Sequence, residues 1–314
     1  MSRVNSKGKP LGIENLSGLI AATFTPMATD GSLNLDVVPT IVDQLLDEGV
    51  SGLYVCGGTG EGVSLSNAER KQTAKAYVNA ANSRIPVFIH VGQDSLFAAR
   101  ELAKHAAEIG ADGISAITPT YFKPGSPSTL VNSLKIITDG APDLPFIYYH
   151  FPTKTGLDID LLDFLEQAVV KLPSLFAVKF TDAKLHDLQA ALALTDNKIK
   201  IFFGIDEMLL GGLVAGASGA IGSTYNFAAP LYLKLIQAWQ NDDLVEAQRL
   251  QALSVQMVRT FVPFGGIEGQ KAMMAMIGLD CGTARFPLNK LATEATEQLQ
   301  NNLQEVGFFD WGRP

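Results

Sequence analysis

The chain has 314 residues, a net charge of −8, and 47% hydrophobic against 18% charged residues. That balance supplies a large core and argues against disorder. Acidity without any Lys/Arg cluster argues against nucleic-acid binding.

The segment from Met1 to Asn15 is polar, with no apolar core of a secretory signal, and no uninterrupted apolar stretch is long enough to span a bilayer. A soluble, cytoplasmic protein without a membrane partner is the expectation. From residue 18 onward, short apolar runs alternate with amphipathic stretches. The runs lie at 19–26, 52–57, 86–92, 113–119, 145–152, 175–181, 200–206 and 217–226. Each is rich in Val, Ile, Phe, Tyr or small residues, as strands buried on both faces require. Between them lie helical patterns. Residues 36–48 place Val37, Ile41, Leu45 and Leu46 on one face, Ser66 and Glu69 form a capping box before 70–81, and 96–109 ends at Gly110.

Eight such βα units predict a (β/α)8 TIM barrel. The rival, a doubly wound open sheet, is disfavoured because no G-x-G-x-x-G follows the first run, which ends in Phe24-Thr25-Pro26. Past Asn226 the pattern is wholly helical, at roughly 231–239, 244–262, 267–277 and 291–303. The predicted organisation is an N-terminal extension at 1–17, the barrel at 18–241, and a C-terminal helical extension at 242–314 packed on it.

Barrel enzymes carry their sites at the C-terminal ends of the strands. The run Leu175-Phe176-Ala177-Val178-Lys179-Phe180-Thr181 buries a lysine. A desolvated amine lowers its pKa, and the neutral form is a nucleophile; the other reading is a lysine that snorkels to water. Thr181, two residues on, faces the same way. Of the adjacent Tyr148 and Tyr149, only one can face the barrel axis. Gly57-Gly58-Thr59-Gly60-Glu61 suits a nest of N–H groups for an anion, or a plain tight turn. Asp206 and Glu207 can pair hydroxyls or begin a helix. The histidines, His90, His105, His150 and His186, show no metal-ligand spacing, and Cys56 and Cys281 make no disulfide framework.

The motifs in register, Gly-Gly-Thr-Gly-Glu at 57–61, Tyr-His-Phe-Pro at 149–152, Lys-Phe-Thr at 179–181 and Gly-Ser-Thr-Tyr-Asn at 222–226, resemble the pyruvate-dependent class I aldolases of the dihydrodipicolinate synthase and N-acetylneuraminate lyase family. The likeness runs from Gly18 to about Leu291. The stretches 61–66, 105–113 and 203–207 look like the lyase branch. The resemblance implies Schiff-base cleavage of N-acetylneuraminate, a sialic acid, to N-acetylmannosamine and pyruvate, with no metal or organic cofactor. It implies Lys179, Tyr149 and Thr59 as catalytic residues. Gly58, Thr59, Thr181, Gly204, Asp206, Glu207 and Ser223 would bind substrate. It also implies a homotetramer. Synthases carry arginine two residues after the Tyr-x-x-Pro proline; this chain has Lys154, which leaves a different acceptor aldehyde as the alternative. Tyr121 matches the tyrosine that synthases contribute across a subunit interface.

Overall fold

The computed structural model describes residues 12–311; residues 1–11 of the expected N-terminal extension lie outside the described residues. Eight parallel strands close into a barrel in chain order. They are β1 Gly18–Ala22, β2 Gly52–Val55, β3 Val87–His90, β4 Gly113–Ile117, β5 Phe146–His150, β6 Leu175–Phe180, β7 Lys200–Phe203 and β8 Gly219–Gly222. Each falls inside or within a residue of one of the eight apolar runs. The polar tails of those runs are the loops that carry the site.

Strict alternation along the strands builds two cores. Ile20, Ala22, Tyr54, Phe88, Ile147, Ala177, Phe202 and Ile221 meet inside the barrel, with Leu16 packed among them. Their neighbours, among them Leu19, Leu53, Val87, Tyr148, Val178 and Phe203, pack outward against the helices. Both faces of every strand are therefore dry, which is why these runs read as continuous apolar sequence. Each fully buried Ile or Phe contributes about 1.5–3 kcal/mol.

The helices around the barrel are α1 Val38–Asp47, α2 Asn67–Ala81, α3 Leu96–Glu108, α4 Pro127–Thr138, α5 Pro152–Thr155, α6 Leu161–Lys171, α7 Leu185–Leu194, α8 Leu209–Val214 and α9 Tyr225–Gln240. Helix α1 buries Val38, Ile41, Val42 and Leu45, one stripe at helical spacing. The Ser66–Glu69 capping box forms at the start of α2, so that helix begins at Asn67 rather than at residue 70. In α9 the helical pattern read from residue 231 begins earlier, at Tyr225. The first turn is separated from the rest by non-helical Ala228, next to Pro230, whose missing N–H cannot continue the ladder. Residues 225 and 226, expected in the eighth strand, are thus helical.

Four further helices follow: α10 Leu244–Phe261, α11 Gly266–Met276, α12 Thr293–Glu305 and α13 Phe308–Trp311. Helix α10 lies on α9, where the Tyr232 and Ser254 hydroxyls meet at 2.8 Å and the Phe227 and Phe261 rings meet edge to face at 6.2 Å. Among the described residues no helix is long and apolar enough to cross a membrane.

The barrel closes where β8 pairs with β1, Gly219 opposite Gly18. A Cβ at Gly219 would run into the Gly18 backbone, which has no side chain to move aside. Gly219→Ala should lower stability by about 1–3 kcal/mol, read as a shift in the chemical denaturation midpoint. An unchanged midpoint would show that the seam has slack.

Candidate active site

One cavity of about 410 Å³ opens at the C-terminal ends of the strands. All of the residues singled out from the sequence for catalysis or binding line it: Gly58, Thr59, Tyr149, Lys179, Thr181, Gly204, Asp206, Glu207 and Ser223. The barrel places them by alternation. Tyr149 lies two residues after inward-facing Ile147, and Lys179 two after Ala177, so both point along the axis. The two residues are register partners on neighbouring strands. Tyr148 points the other way, its ring 4.4 Å from that of Phe164 on α6, which settles the choice between the two tyrosines.

Lys179 is 5% exposed. Its Nζ stands 4.3 Å from the Tyr149 ring centroid and 4.8 Å from that of Tyr54. Burial pushes the amine down from its ordinary 10.5 to about 8, with Asp206 pulling the other way. The aromatic faces favour the charged form somewhat but cannot replace water. Tyr54, His90 and Tyr149 surround this chamber with ring centroids 6.0–6.2 Å apart. His90 is held neutral, its imidazole pushed well below the usual range by burial and then by Arg70 and Lys179. The Tyr54 hydroxyl meets the Ser115 hydroxyl at 2.8 Å, which donates to the Ile147 carbonyl at 2.8 Å. Tyr54 and His90 were not singled out for chemistry from the sequence. The signal was present, since each occupies an inward position on its strand, but neither sits in a distinctive motif.

Burial also raises the Tyr149 phenol above its ordinary value, Asp206 adds to the rise, and nearby Thr181 opposes it. Among the described residues the Thr181 hydroxyl itself has no hydrogen-bond partner of proper geometry, and it lines the cavity. Beside it, the turn after β2 closes through Glu61 N–H to the Gly58 carbonyl (3.0 Å) and Gly62 N–H to the Gly57 carbonyl (3.1 Å). Among the described residues no protein acceptor takes the N–H of Gly58 or Thr59. Both donors remain for a ligand anion, as a nest requires.

Asp206 and Glu207 differ. Asp206 is buried, and its Oδ2 accepts from the Thr224 N–H (2.9 Å) and hydroxyl (2.7 Å), while among the described residues Oδ1 has no hydrogen-bond partner of proper geometry, with the Tyr225 hydroxyl nearby. Burial raises its carboxyl above the usual range, and the Thr224 bonds and Lys179 pull it back. Only glycine fits at 222, because a Cβ there would collide with the Asp206 carboxylate. Glu207 is half-buried, and burial raises its carboxyl too. Lys154, on α5, is exposed and lines the same cavity. The far wall, Val258, Phe261, Val262, Gly266, Ile267 and Gln270, comes from the region of α10 and α11. The sequence reading assigned that wall no part in the site.

A closed parallel barrel with a desolvated lysine and a phenol at its C-terminal mouth brings a nucleophile and a proton-transfer group into one cavity. Residues 15–306 match the dihydrodipicolinate synthetase family, and the chain belongs to that family. It is 39% identical to the N-acetylneuraminate lyase of Homo sapiens over 303 residues, covering 95% of each chain. Among solved structures, Proteus mirabilis N-acetylneuraminate lyase is similar with a TM-score of 0.91 and 38% identity, over 93% of this chain and 99% of that one. The Aliivibrio salmonicida N-acetylneuraminate lyase is similar with a TM-score of 0.90 and 36% identity, over 93% and 97%.

The lysine's titration is testable in two ways. Reductive trapping of pyruvate should quicken with pH, with its midpoint near 8 and a plateau above it, since only the neutral amine attacks. A midpoint near 10.5 would mean that the amine is solvated. The amine holds its proton less tightly folded than unfolded. Its penalty on stability is therefore full below pH 8, and is relieved as pH rises from 8 toward 10.5. Lys179→Met should accordingly gain stability at neutral pH, by about 3 kcal/mol, and lose that gain at high pH.

Proposed function

We propose that this chain is a class I aldolase that reversibly cleaves N-acetylneuraminate to N-acetylmannosamine and pyruvate. The observation that carries the reading is the Lys179 amine held at 4.3 Å from the Tyr149 ring, in a cavity that also presents Asp206 and Glu207. The similar proteins named above point to the same reaction.

In this mechanism neutral Lys179 attacks the keto carbon of the open-chain sugar, and loss of water leaves a protonated imine. Tyr149 takes the proton of the C4 hydroxyl, the C3–C4 bond breaks, and its electron pair becomes the enamine as the imine nitrogen is neutralised. N-acetylmannosamine departs. Protonation at C3 and hydrolysis of the imine release pyruvate and free Lys179. Burial makes Tyr149 a poor base alone, so the cationic imine beside it must supply the driving force, with the substrate carboxylate or Thr59 as a relay. The Gly58–Thr59 turn holds that carboxylate and so orients the keto carbon. Thr181 faces the leaving aldehyde, and Gly204, Asp206, Glu207 and Ser223 take the hydroxylated tail. The lysine is itself the electron sink, so the scheme uses no metal and no organic cofactor.

The proposed form is a cytoplasmic homotetramer. Tyr121 and Phe122, in edge-to-face contact and 80% and 84% exposed, offer apolar surface for a second copy to cover.

Tyr149→Phe should lower kcat by roughly a hundredfold or more while KM changes little, because the phenol acts on the bond that breaks. Steady-state kinetics of N-acetylneuraminate cleavage check this. Near-normal turnover would move the proton transfer to another group.

Lys154 favours a second reading, condensation of pyruvate with a carboxylate-bearing aldehyde, because its side chain lines the cavity. Lysine lacks the bidentate fork of arginine, so the lyase reading stands first. Sugars truncated at the tail should be poorer substrates, Asp206→Ala should erase much of that difference, and Lys154→Leu should leave cleavage nearly intact. Strong condensation with aspartate semialdehyde, lost in Lys154→Leu, would overturn the lyase reading.

A further inference from the structure

The turn that presents Gly58 and Thr59 is gripped from behind by the C-terminal part of the chain. Glu61, four residues into the motif, is 3% exposed and adopts a left-handed φ of 53°, a conformation that disfavours glutamate. Its carboxylate is held by Lys271 Nζ of α11 at 2.7 Å and by the Arg285 N–H at 2.6 Å. The Lys271 ammonium spends its other two donors on the Thr25 and Thr283 carbonyls, each at 2.9 Å. Thr25 in turn donates its hydroxyl to the Gly60 carbonyl at 2.7 Å. Residues 60 and 61 are thus pinned immediately behind the two free N–H groups. The bond from the Glu61 N–H to the Gly58 carbonyl carries any displacement of Glu61 to the cradle. Neither Glu61 nor Lys271 lines the cavity, although Gln270 beside Lys271 does.

We propose that Glu61 and Lys271 are positioning residues for carboxylate recognition, setting the Gly58–Thr59 turn to receive the carboxylate of a 2-oxo acid. A buried charge left without its partner is strongly unfavourable. Loss of the Lys271 ammonium therefore forces the Glu61 carboxylate to turn toward water and drags the cradle with it. The inference rests on the imine-forming reading of Lys179.

The test uses the whole chain and two ketones of matched carbonyl, pyruvate and acetone, the second lacking the carboxylate. Each is trapped on Lys179 with borohydride and the rates are compared. In Lys271→Met the ratio of pyruvate to acetone trapping should fall about tenfold or more, the scale of a lost hydrogen bond to a charged group, with the acetone rate unchanged. Glu61→Gln keeps the size and one acceptor, and should shift the ratio the same way by less. It also serves if Lys271→Met fails to fold, as judged by circular dichroism. Equal loss of both rates, or an unchanged ratio in the folded variants, overturns the positioning role while leaving the function reading in place. No trapping of pyruvate by the unmodified protein overturns the function reading and this inference with it.

Discussion

A primary amine placed where water cannot solvate it is the constraint around which the molecule is organised. Lysine has four methylenes with which to carry its charge out to solvent, and Lys179 is prevented from doing so by the closed barrel. The strands on either side fix its Cα, inward Ala177 precedes it by two on β6 and inward Phe202 is its register partner on β7, and Tyr54 and Tyr149 close over its head. An open sheet would leave an edge and an escape route. Because the penalty falls only on the charged form, burial weakens the amine's hold on its proton and brings it down to about 8.

The same low polarity governs the other groups. Tyr54, Tyr149 and His90 are all shifted toward their neutral states by burial, so the chamber beneath the cavity is electrically quiet. Asp206 is shifted the same way by burial, but two hydrogen bonds from Thr224 pull its carboxyl back toward the charged form. The Thr224 hydroxyl reaches Tyr232 at 2.8 Å, and Tyr232 reaches Ser254 on α10 at 2.8 Å. Helices packed outside the barrel therefore steady the buried acid of the cavity.

The barrel was legible because periodicity and burial agree along every strand, and Lys179 was legible because a charge interrupts an apolar run. Alternation alone could not choose between Tyr148 and Tyr149, since it says only that the two oppose each other; the motif resemblance pointed to Tyr149, and the register sets that residue opposite Lys179. The early start of α9 was hidden because Pro230 reads as a break, while the turn before it is held by bonds from the Phe227 and Ala228 N–H groups to the Thr224 carbonyl. The ties of Glu61 to α11 and Arg285 were beyond any local reading. They join residues more than 200 positions apart, and no spacing rule encodes such contacts.

Tyr149 and Lys179 stand on strands, whereas much of the opposite cavity wall, from Val258 to Gln270, belongs to helices that follow the eight βα units. The strand-end residues and this helical part of the lining are thus written in separate stretches of the polypeptide. Drift in the helical stretch can reshape the chamber's outer half without disturbing the amine. Substitutions at Val258, Phe261 or Ile267 would alter the room beside the amine while the strands that hold Tyr149 and Lys179 stay in place.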